Sequence, residues 1–456
     1  MNMETNIFLI ILDTLRRDVM SLYGGDTDTP FINEIARDGI IFENAISPSN
    51  WTPTSHMSIF SGLYPREHGV HENYDEGDEI IFKKLLEYNG DNIIEYLYKK
   101  GYNNIGYSTN PWLSPGSRFD NYYSSFTFYS SEYLSEKEME DVKEYKKYGK
   151  NRIEATKYLI SHGKFEEFLH YYHTFKWMLK KKKEYNYPFY KASDVIVDHI
   201  INSSFNEPFF MFINFMEVHE PSSKWELDVD DRKIKYNDLF GFDIINEKRM
   251  NEVKEGYKKS LKNVDYEIGR LINFLKKKKI YDDSLIIITS DHGQAFKEKR
   301  KIQFYGHGNF LYDEIINIPL IVKFPKNYKI KRKSGYQTLV NIKKLVENVI
   351  ENNYEDNLTE EVVFSEMFGP IHNLKRLMNE GIIKKVDNID HKIKEYFPKR
   401  KAVYKNGFKL VINGESGQIE EFTFHGKNAD VSEHPNVIKD LKEELSIFKG
   451  NEKFII

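Results

Sequence analysis

Short strand-like segments, most of them rich in apolar residues, recur through a chain that is otherwise rich in charge: Ile7–Leu12, residues 104–108, Phe209–Phe215, Leu285–Thr289 and residues 319–324. None reaches the roughly 20 residues that a membrane-spanning helix needs, and the apolar run Ile7–Leu12 is continuous, so it reads as a strand buried on both faces, with the others as further strands of the same sheet. Residues 79–99, 191–203 and 246–279 instead show helical spacing with mixed charge. This alternation predicts an α/β fold in which helices pack on a large, mostly parallel sheet.

Two segments stand apart from that rhythm. Residues 130–190 are rich in Lys, Tyr, His and Phe and read as an insertion of two or three helices, with Lys180 to Lys183 as a solvated helix end. An insertion there would roof a site and choose its leaving group. The last sixty residues read as short antiparallel strands at Ala402–Tyr404, Phe408–Ile412 and Glu420–Phe424, with Asn406-Gly407 and Asn413-Gly414 as turns and a helix from about Pro435 to Phe448. The expected organisation is a catalytic domain over 1–395 and a small β-sheet subdomain over 396–456.

Polar residues with chemical potential follow the apolar runs. Asp13 ends the first, His219 lies just beyond the third, and Ser290-Asp291-His292-Gly293 follows the fourth. Reacting groups in open α/β sheets collect at the carboxyl ends of strands, so residues distant in sequence can meet there. Two carboxylates, an imidazole and a hydroxyl form a plausible divalent-cation set. Oxygen ligands suit Mn²⁺, Ca²⁺ or Mg²⁺, and the imidazole shifts preference toward Mn²⁺ or Zn²⁺. Taken alone, Asp13 reads equally well as a turn or helix-cap residue, and Thr52 as the cap of a helix over Ser55 to Ser61. His68 and His71 read as loop residues that support a site.

Read in order, these segments resemble a known family. Asp13-Thr14-Leu15-Arg16, Trp51-Thr52-Pro53-Thr54-Ser55-His56, Gly62-Leu63-Tyr64-Pro65, Asn110-Pro111-Trp112, His219-Glu220-Pro221, Ser290-Asp291-His292-Gly293 and Gly306-His307-Gly308 together resemble the sulfatase family of the alkaline phosphatase superfamily. The resemblance implies an alkaline-phosphatase-like α/β fold with a small C-terminal antiparallel sheet plus helix. It implies that Asp13, Asp291 and His292 hold one divalent ion, with Thr52 completing its shell. His307 aligns with a basic substrate-contacting residue and is the first candidate proton donor; His219 is the second. If these two histidines bind metal instead, the site takes a second ion.

Departures from the family carry the functional information. Sulfatases oxidise a Cys or Ser at the Thr52 position to formylglycine, whereas this chain has no cysteine and places Thr there. A threonyl sulfate lacks the second hydroxyl that expels sulfate, while water at phosphorus can open a threonyl phosphate. His56 stands where the family carries Arg, and Asn110 near where many members carry Lys, which lowers the fixed positive charge and favours a monoanionic centre. Arg16, Lys224 or Lys323 could restore it. The expected activity is hydrolysis or transfer of a phosphodiester, phosphonate or other phosphate ester through a Thr nucleophile, on a small-molecule or glycan-linked anionic substrate. Its rivals are a sulfatase working without formylglycine and a non-catalytic protein that binds anionic glycans.

Composition narrows the partners. The 456 residues carry a formal net charge of −4, which argues against nucleic acid as an obligatory ligand. No signal peptide is legible before Asp13, and the expectation is a cytoplasmic enzyme with no membrane span. Homo-oligomerisation stays open.

Overall fold

The computed structural model describes residues 5–113, 123–128, 152–164, 191–220, 222, 226, 231–242, 244–300, 302–325, 331–355, 357–450 and 453–456. Most of the expected insertion, including the Lys180 to Lys183 run, and Lys224 lie outside them; within 130–190 a helix is described over Arg152–Ser161.

The central strands form where the apolar runs predict. β1 (Ile7–Leu12) pairs in parallel with β5 (Phe209–Phe215) on one side and β6 (Leu285–Thr289) on the other. Every residue of β1 is buried because both faces are covered. Phe8, Ile10 and Leu12 pack toward Pro30–Arg37, Ser193–Asn202 and Glu247–Lys277. Ile7, Leu9 and Ile11 pack toward Thr52–Ser61, Glu79–Glu87, Ile93–Lys99 and Ile342–Ile350. Burial of each such side chain is worth ~1.5–3 kcal/mol, so this strand is the rigid base from which Asp13 projects.

Beyond β5 lie β3 (Asn103–Ser108) and β4 (Ser125–Phe128), both parallel to it. Beyond β6 the sheet changes direction: β9 (Asn317–Lys323) runs antiparallel to β6 and to β2 (Ile40–Ile46). β10 (Lys331–Thr338) and β11 (Thr359–Glu360) complete the edge, giving among the described residues the order β11-β10-β2-β9-β6-β1-β5-β3-β4. The apolar run at 319–324 identified β9 but carried no mark of its antiparallel direction. β2 and β10 were not expected: β10 is polar along its length, Lys-Arg-Lys-Ser-Gly-Tyr-Gln-Thr, as an outer strand permits.

Three expectations need correction. The stretch 79–99 is two helices, because Asn89-Gly90-Asp91-Asn92 interrupts it and the Asn92 side chain caps the second by accepting from Glu95 N at 2.9 Å. Thr52 is the first residue inside its helix and Trp51 the cap, so the Thr52 hydroxyl is not consumed in capping. The C-terminal sheet draws in β12 (Val362–Met367) ahead of β13 (Arg400–Lys405), β14 (Phe408–Asn413), β15 (Ile419–Phe424) and β16 (Lys427–Asn428), and so reaches upstream of residue 396.

The longest described helix, Glu247–Lys277, ties the scaffold to the loop after Asp13. Its buried positions Met250, Val253, Tyr257, Leu261, Val264, Ile268 and Leu271 recur every three or four residues. From that face the Tyr257 hydroxyl donates to Thr14 O at 2.8 Å and accepts from Arg16 N at 2.7 Å. On the same helix a Cβ at Gly269 would fall 2.4 Å from the Phe31 ring, so only glycine lets the helix Pro30–Arg37 approach this closely.

Candidate metal centre

β1 and β6 deliver Asp13 and Asp291 side by side. Asp13 N continues the sheet ladder to Phe215 O at 2.9 Å, after which Thr14 turns with φ of 62°, an uncommon conformation for a β-branched residue. Its surroundings hold it there: Thr14 Oγ1 donates to Val218 O at 3.0 Å and Thr14 N to Asp291 Oδ1 at 3.3 Å. Ser290 braces the same turn, donating to Leu12 O and accepting from Leu15 N.

Asp13, Asp291 and His292 present ligand atoms within 4.8 Å of one another, all fully buried. His292 Nδ1 faces Gly293 O at 3.0 Å, which places its proton on Nδ1 and turns the Nε2 lone pair toward Asp291 Oδ2 at 3.4 Å and Asp13 Oδ1 at 3.9 Å. Asp13 Oδ1 and Asp291 Oδ2 are buried without a hydrogen-bond partner. Burial lifts both carboxyls to about 6, in Asp13 with the neighbouring charge of Asp291 added, and burial lowers His292 to about 4. Unpartnered carboxylate oxygens facing a bare imidazole lone pair fit a divalent cation, whose charge would remove the penalty these groups impose on one another.

Thr52 enters this cluster from the start of its helix. Its Oγ1 lies 3.5 Å from Asp13 Oδ2 and 3.3 Å from His292 Nε2. Asn110, beyond the end of β3, donates to Asp13 Oδ2 at 2.7 Å and approaches Thr52 Oγ1 at 3.5 Å. His56, one helical turn after Thr52, sits against Phe60 and Phe212, with Nδ1 3.0 Å from Thr52 O and 3.5 Å from Asp291 Oδ2. Burial drops His56 to about 3, so it does not supply the cation that the family's Arg would.

Two of the other proposed sources of positive charge do not supply it, and the third, Lys224, lies outside the described residues. Arg16 is held by Asp18 and Glu298, and Lys323 is tied to the carbonyls of Tyr281, Asp282 and Ser284 near the start of β6. Among the described residues, Lys191 and Lys235, which carry no local sequence signal, are buried cations near the site. Lys191 Nζ donates to Glu217 O at 2.9 Å and to His219 O, while Lys235 Nζ lies 3.3 Å from Glu220 Oε1.

A second cluster adjoins the first. His219, Glu220 and His307 offer ligand atoms within 4.8 Å, and the His307 ring centroid is 5.0 Å from that of His219 and 4.5 Å from that of His292. In the sequence Glu220 has no role of its own beyond its place in His219-Glu220-Pro221. Burial raises its carboxyl, but Lys235 and the two histidines outweigh that and hold it well below the usual range. Burial pushes His307 well down, which keeps the imidazole neutral.

The profile of the Sulfatase family matches residues 5–345. The chain belongs to the sulfatase family. Members of that family generally use a divalent ion, and the described residues hold two clusters of side chains that could bind one. An N-acetylglucosamine-6-O-sulfatase of Bacteroides thetaiotaomicron is 24% identical over 374 residues, which cover 71% of this chain and 63% of the relative. The chain therefore spans under two thirds of that relative's length. An arylsulfatase of Clostridium perfringens is 22% identical over 355 residues, covering 68% of this chain and 69% of the other. The phosphonate monoester hydrolase of Agrobacterium radiobacter shares the fold, with a TM-score of 0.63 at 15% identity over 97% of this chain and 94% of that one. No helix among the described residues is long and apolar enough to cross a membrane.

Proposed function

We propose that this sulfatase-family chain hydrolyses or transfers a phosphate ester, a phosphodiester or phosphonate in particular, with Thr52 as nucleophile. The observation that carries the reading is a hydroxyl that cannot become formylglycine beside the ligand cluster: Thr52 Oγ1 is 3.3 Å from His292 Nε2 in a chain without cysteine. Asp13, Asp291 and His292 would hold the ion, which when bound lowers the pKa of a neighbouring hydroxyl and offsets charge on the ester oxygens.

The remaining roles fall to the chain itself. Asn110 Nδ2, beside both Asp13 and Thr52, is placed to donate to a non-bridging oxygen. The first turn of the helix Thr52–Ser61 turns its positive end toward the same point. Thr52 Oγ forms the new bond to phosphorus as the bond to the departing oxygen breaks, and water then displaces Thr52. The departing oxygen would take its proton from the cluster of His219, Glu220, His307 and Lys235, in which the Lys235 ammonium lies 3.3 Å from Glu220 Oε1. The substrate is a small-molecule or glycan-linked anionic ester.

The names of the curated relatives favour a second reading, a sulfuric-ester hydrolase that works without formylglycine. The two part in one experiment. Protein reconstituted with Mn²⁺, Zn²⁺, Ca²⁺ or Mg²⁺ is offered aryl phosphate, phosphodiester, phosphonate and sulfate beside Thr52→Ala. Preferential turnover of a phosphorus ester, lost by roughly 10³-fold or more in Thr52→Ala, is the expected result. A preference for sulfate overturns the ranking, and equal turnover by Thr52→Ala removes the covalent step.

A further inference from the structure

Three buried lysines of this chain spend their ammonium protons on protein oxygens. Lys323 donates to the carbonyls of Tyr281, Asp282 and Ser284, and Lys191 to those of Glu217 and His219. Lys409 reaches Leu311 O at 2.8 Å, Glu421 Oε1 at 2.9 Å and Asp313 Oδ1 at 3.0 Å. Lys235 is buried with them, yet among the described residues its acceptor is Glu220 Oε1 alone, at 3.3 Å. That is longer than the roughly 2.7–2.9 Å of a well-made charge-assisted bond. An ammonium carries three donors, so two N–H groups are shut away from water with no protein oxygen to receive them. Such a group is costly unless an acceptor from outside the chain completes it.

The fold holds this ammonium beside the site. Lys235 lies on the helix Asp231–Asn237, and its stem crosses Gly306, next to His307. A Cβ at Gly306, where φ is 118°, would fall 2.4 Å from Lys235 Cε, so glycine is what keeps the room. From the nucleophile outward, Thr52 Oγ1 is 3.3 Å from His292 Nε2, and the rings of His292 and His307 are 4.5 Å apart. His307 Nδ1 is then 3.5 Å from Glu220 Oε2, and the other oxygen of Glu220 faces Lys235. In-line attack by Thr52 puts the departing oxygen on the far side of phosphorus. Lys235 stands one side chain further out than His307, and so faces the departing group rather than phosphorus.

We propose that Lys235 is a specificity residue whose ammonium binds an oxyanion, such as a carboxylate, on the departing portion of the ester, with Glu220 positioning it. The preferred substrate then carries two negative charges, one on the ester itself and one beyond the departing oxygen. Arg16 and Lys323 are consumed by their own partners, which leaves Lys235 with donors to spare for the second charge. In this role Lys235 deepens the phosphate-ester reading and rests on it for the bond that breaks.

Methyl aryl phosphodiesters test it, with meta- or para-carboxyphenol as the departing group against the matching carboxamides. The unmodified protein, loaded with the ion that supports turnover, should favour at least one carboxylate by roughly 10-fold or more in kcat/KM, the scale of one charge-assisted hydrogen bond. Lys235→Met should bring that ratio to about one, and Lys235→Arg should keep part of it. Each ratio is taken within one protein, so a general loss of activity or folding cancels. If Lys235→Met fails to fold because it strands Glu220, the Lys235→Met, Glu220→Gln double variant removes the stranded charge and should give the same ratio. A ratio at or below one for both pairs in the unmodified protein, or a carboxylate preference that survives Lys235→Met, overturns the proposal. Turnover of phosphorus esters without a carboxylate preference sinks the role of Lys235 alone. Faster turnover of the matching aryl sulfates, with the carboxylate preference intact, sinks the phosphate reading alone.

Discussion

Asn110 Nδ2 donates at 2.7 Å to Asp13 Oδ2, the same carboxylate oxygen that stands 3.5 Å from the Thr52 hydroxyl. One amide therefore orients both a candidate ligand and the candidate nucleophile. Asn110→Ala should weaken metal affinity about 10- to 100-fold, the usual cost of losing a group that orients a ligand. Chelator competition measures this, and unchanged affinity would refute the assignment.

Thr52→Ser keeps a hydroxyl on the first turn of the same helix and removes only a methyl group. It should keep phosphorus-ester turnover within about tenfold of the parent, while the isosteric Thr52→Val should behave like Thr52→Ala. Equal loss in Ser and Val variants would show that packing, rather than the oxygen, is what position 52 contributes.

Two buried carboxylates with unpartnered oxygens face each other in the first cluster, so the metal-free protein carries a local electrostatic cost there. Asp13→Asn should raise the thermal midpoint of chelator-treated protein and abolish the gain from added metal. For the parent that gain is about 2.7 kcal/mol at a hundredfold excess over Kd. Thermal melts with and without metal read both effects, and a metal gain that survives Asp13→Asn would contradict the ligand set.

The C-terminal sheet grips the segment that carries Thr52. Glu366 in β12 pairs with Lys401 in β13, accepts from Arg66 N at 3.0 Å, and donates its own backbone N–H to Pro48 O at 2.9 Å. Both side chains of the pair are buried. Lys401→Met should cost about 3–5 kcal/mol by stranding a buried carboxylate, and the Lys401→Met, Glu366→Leu double variant should cost less than that single change. Urea unfolding of the three proteins decides it, and additive losses would deny the coupling.

His68 provides a pH-dependent stability that is separate from the ligand clusters. Val70 N donates to its Nδ1 at 3.0 Å, its Nε2 lies 2.9 Å from Ser58 Oγ, and burial lowers it to about 3. Between the unfolded value near 6.5 and the folded value near 3, the unfolded chain binds the extra proton. Stability is therefore full above about pH 6.5 and falls as the pH drops, by about 1.4 kcal/mol per pH unit for one such group. Urea midpoints at pH 7 and pH 5 should show a smaller drop in His68→Gln than in the parent, and identical drops would reject the role.

What could be read from the chain was whatever leaves a local trace. β1, β5 and β6 announced themselves because burial on both faces demands unbroken apolar runs, and Asp13, Asp291 and His292 stood out because they follow those runs directly. β10 was invisible because an outer strand tolerates polar residues, and the direction of β9 because an apolar run has no polarity of its own. Glu220 and Lys235 resemble many other charged residues, and only their placement beside His307 gives them meaning.

The sequence by itself determined that the chain is an α/β protein of sulfatase type without cysteine, and the resemblance puts Thr52 at the position of the oxidised residue. Those facts are carried by residue identity and order. The tertiary structure alone decided which polar atoms go unsatisfied and which charges cancel: Arg16 and Lys323 are consumed elsewhere, His56 is held neutral, and a second trio of ligands forms against the first. Electrostatic energy depends on distance and on exclusion of water, and neither quantity exists until the strands have brought residues hundreds of positions apart into one buried volume.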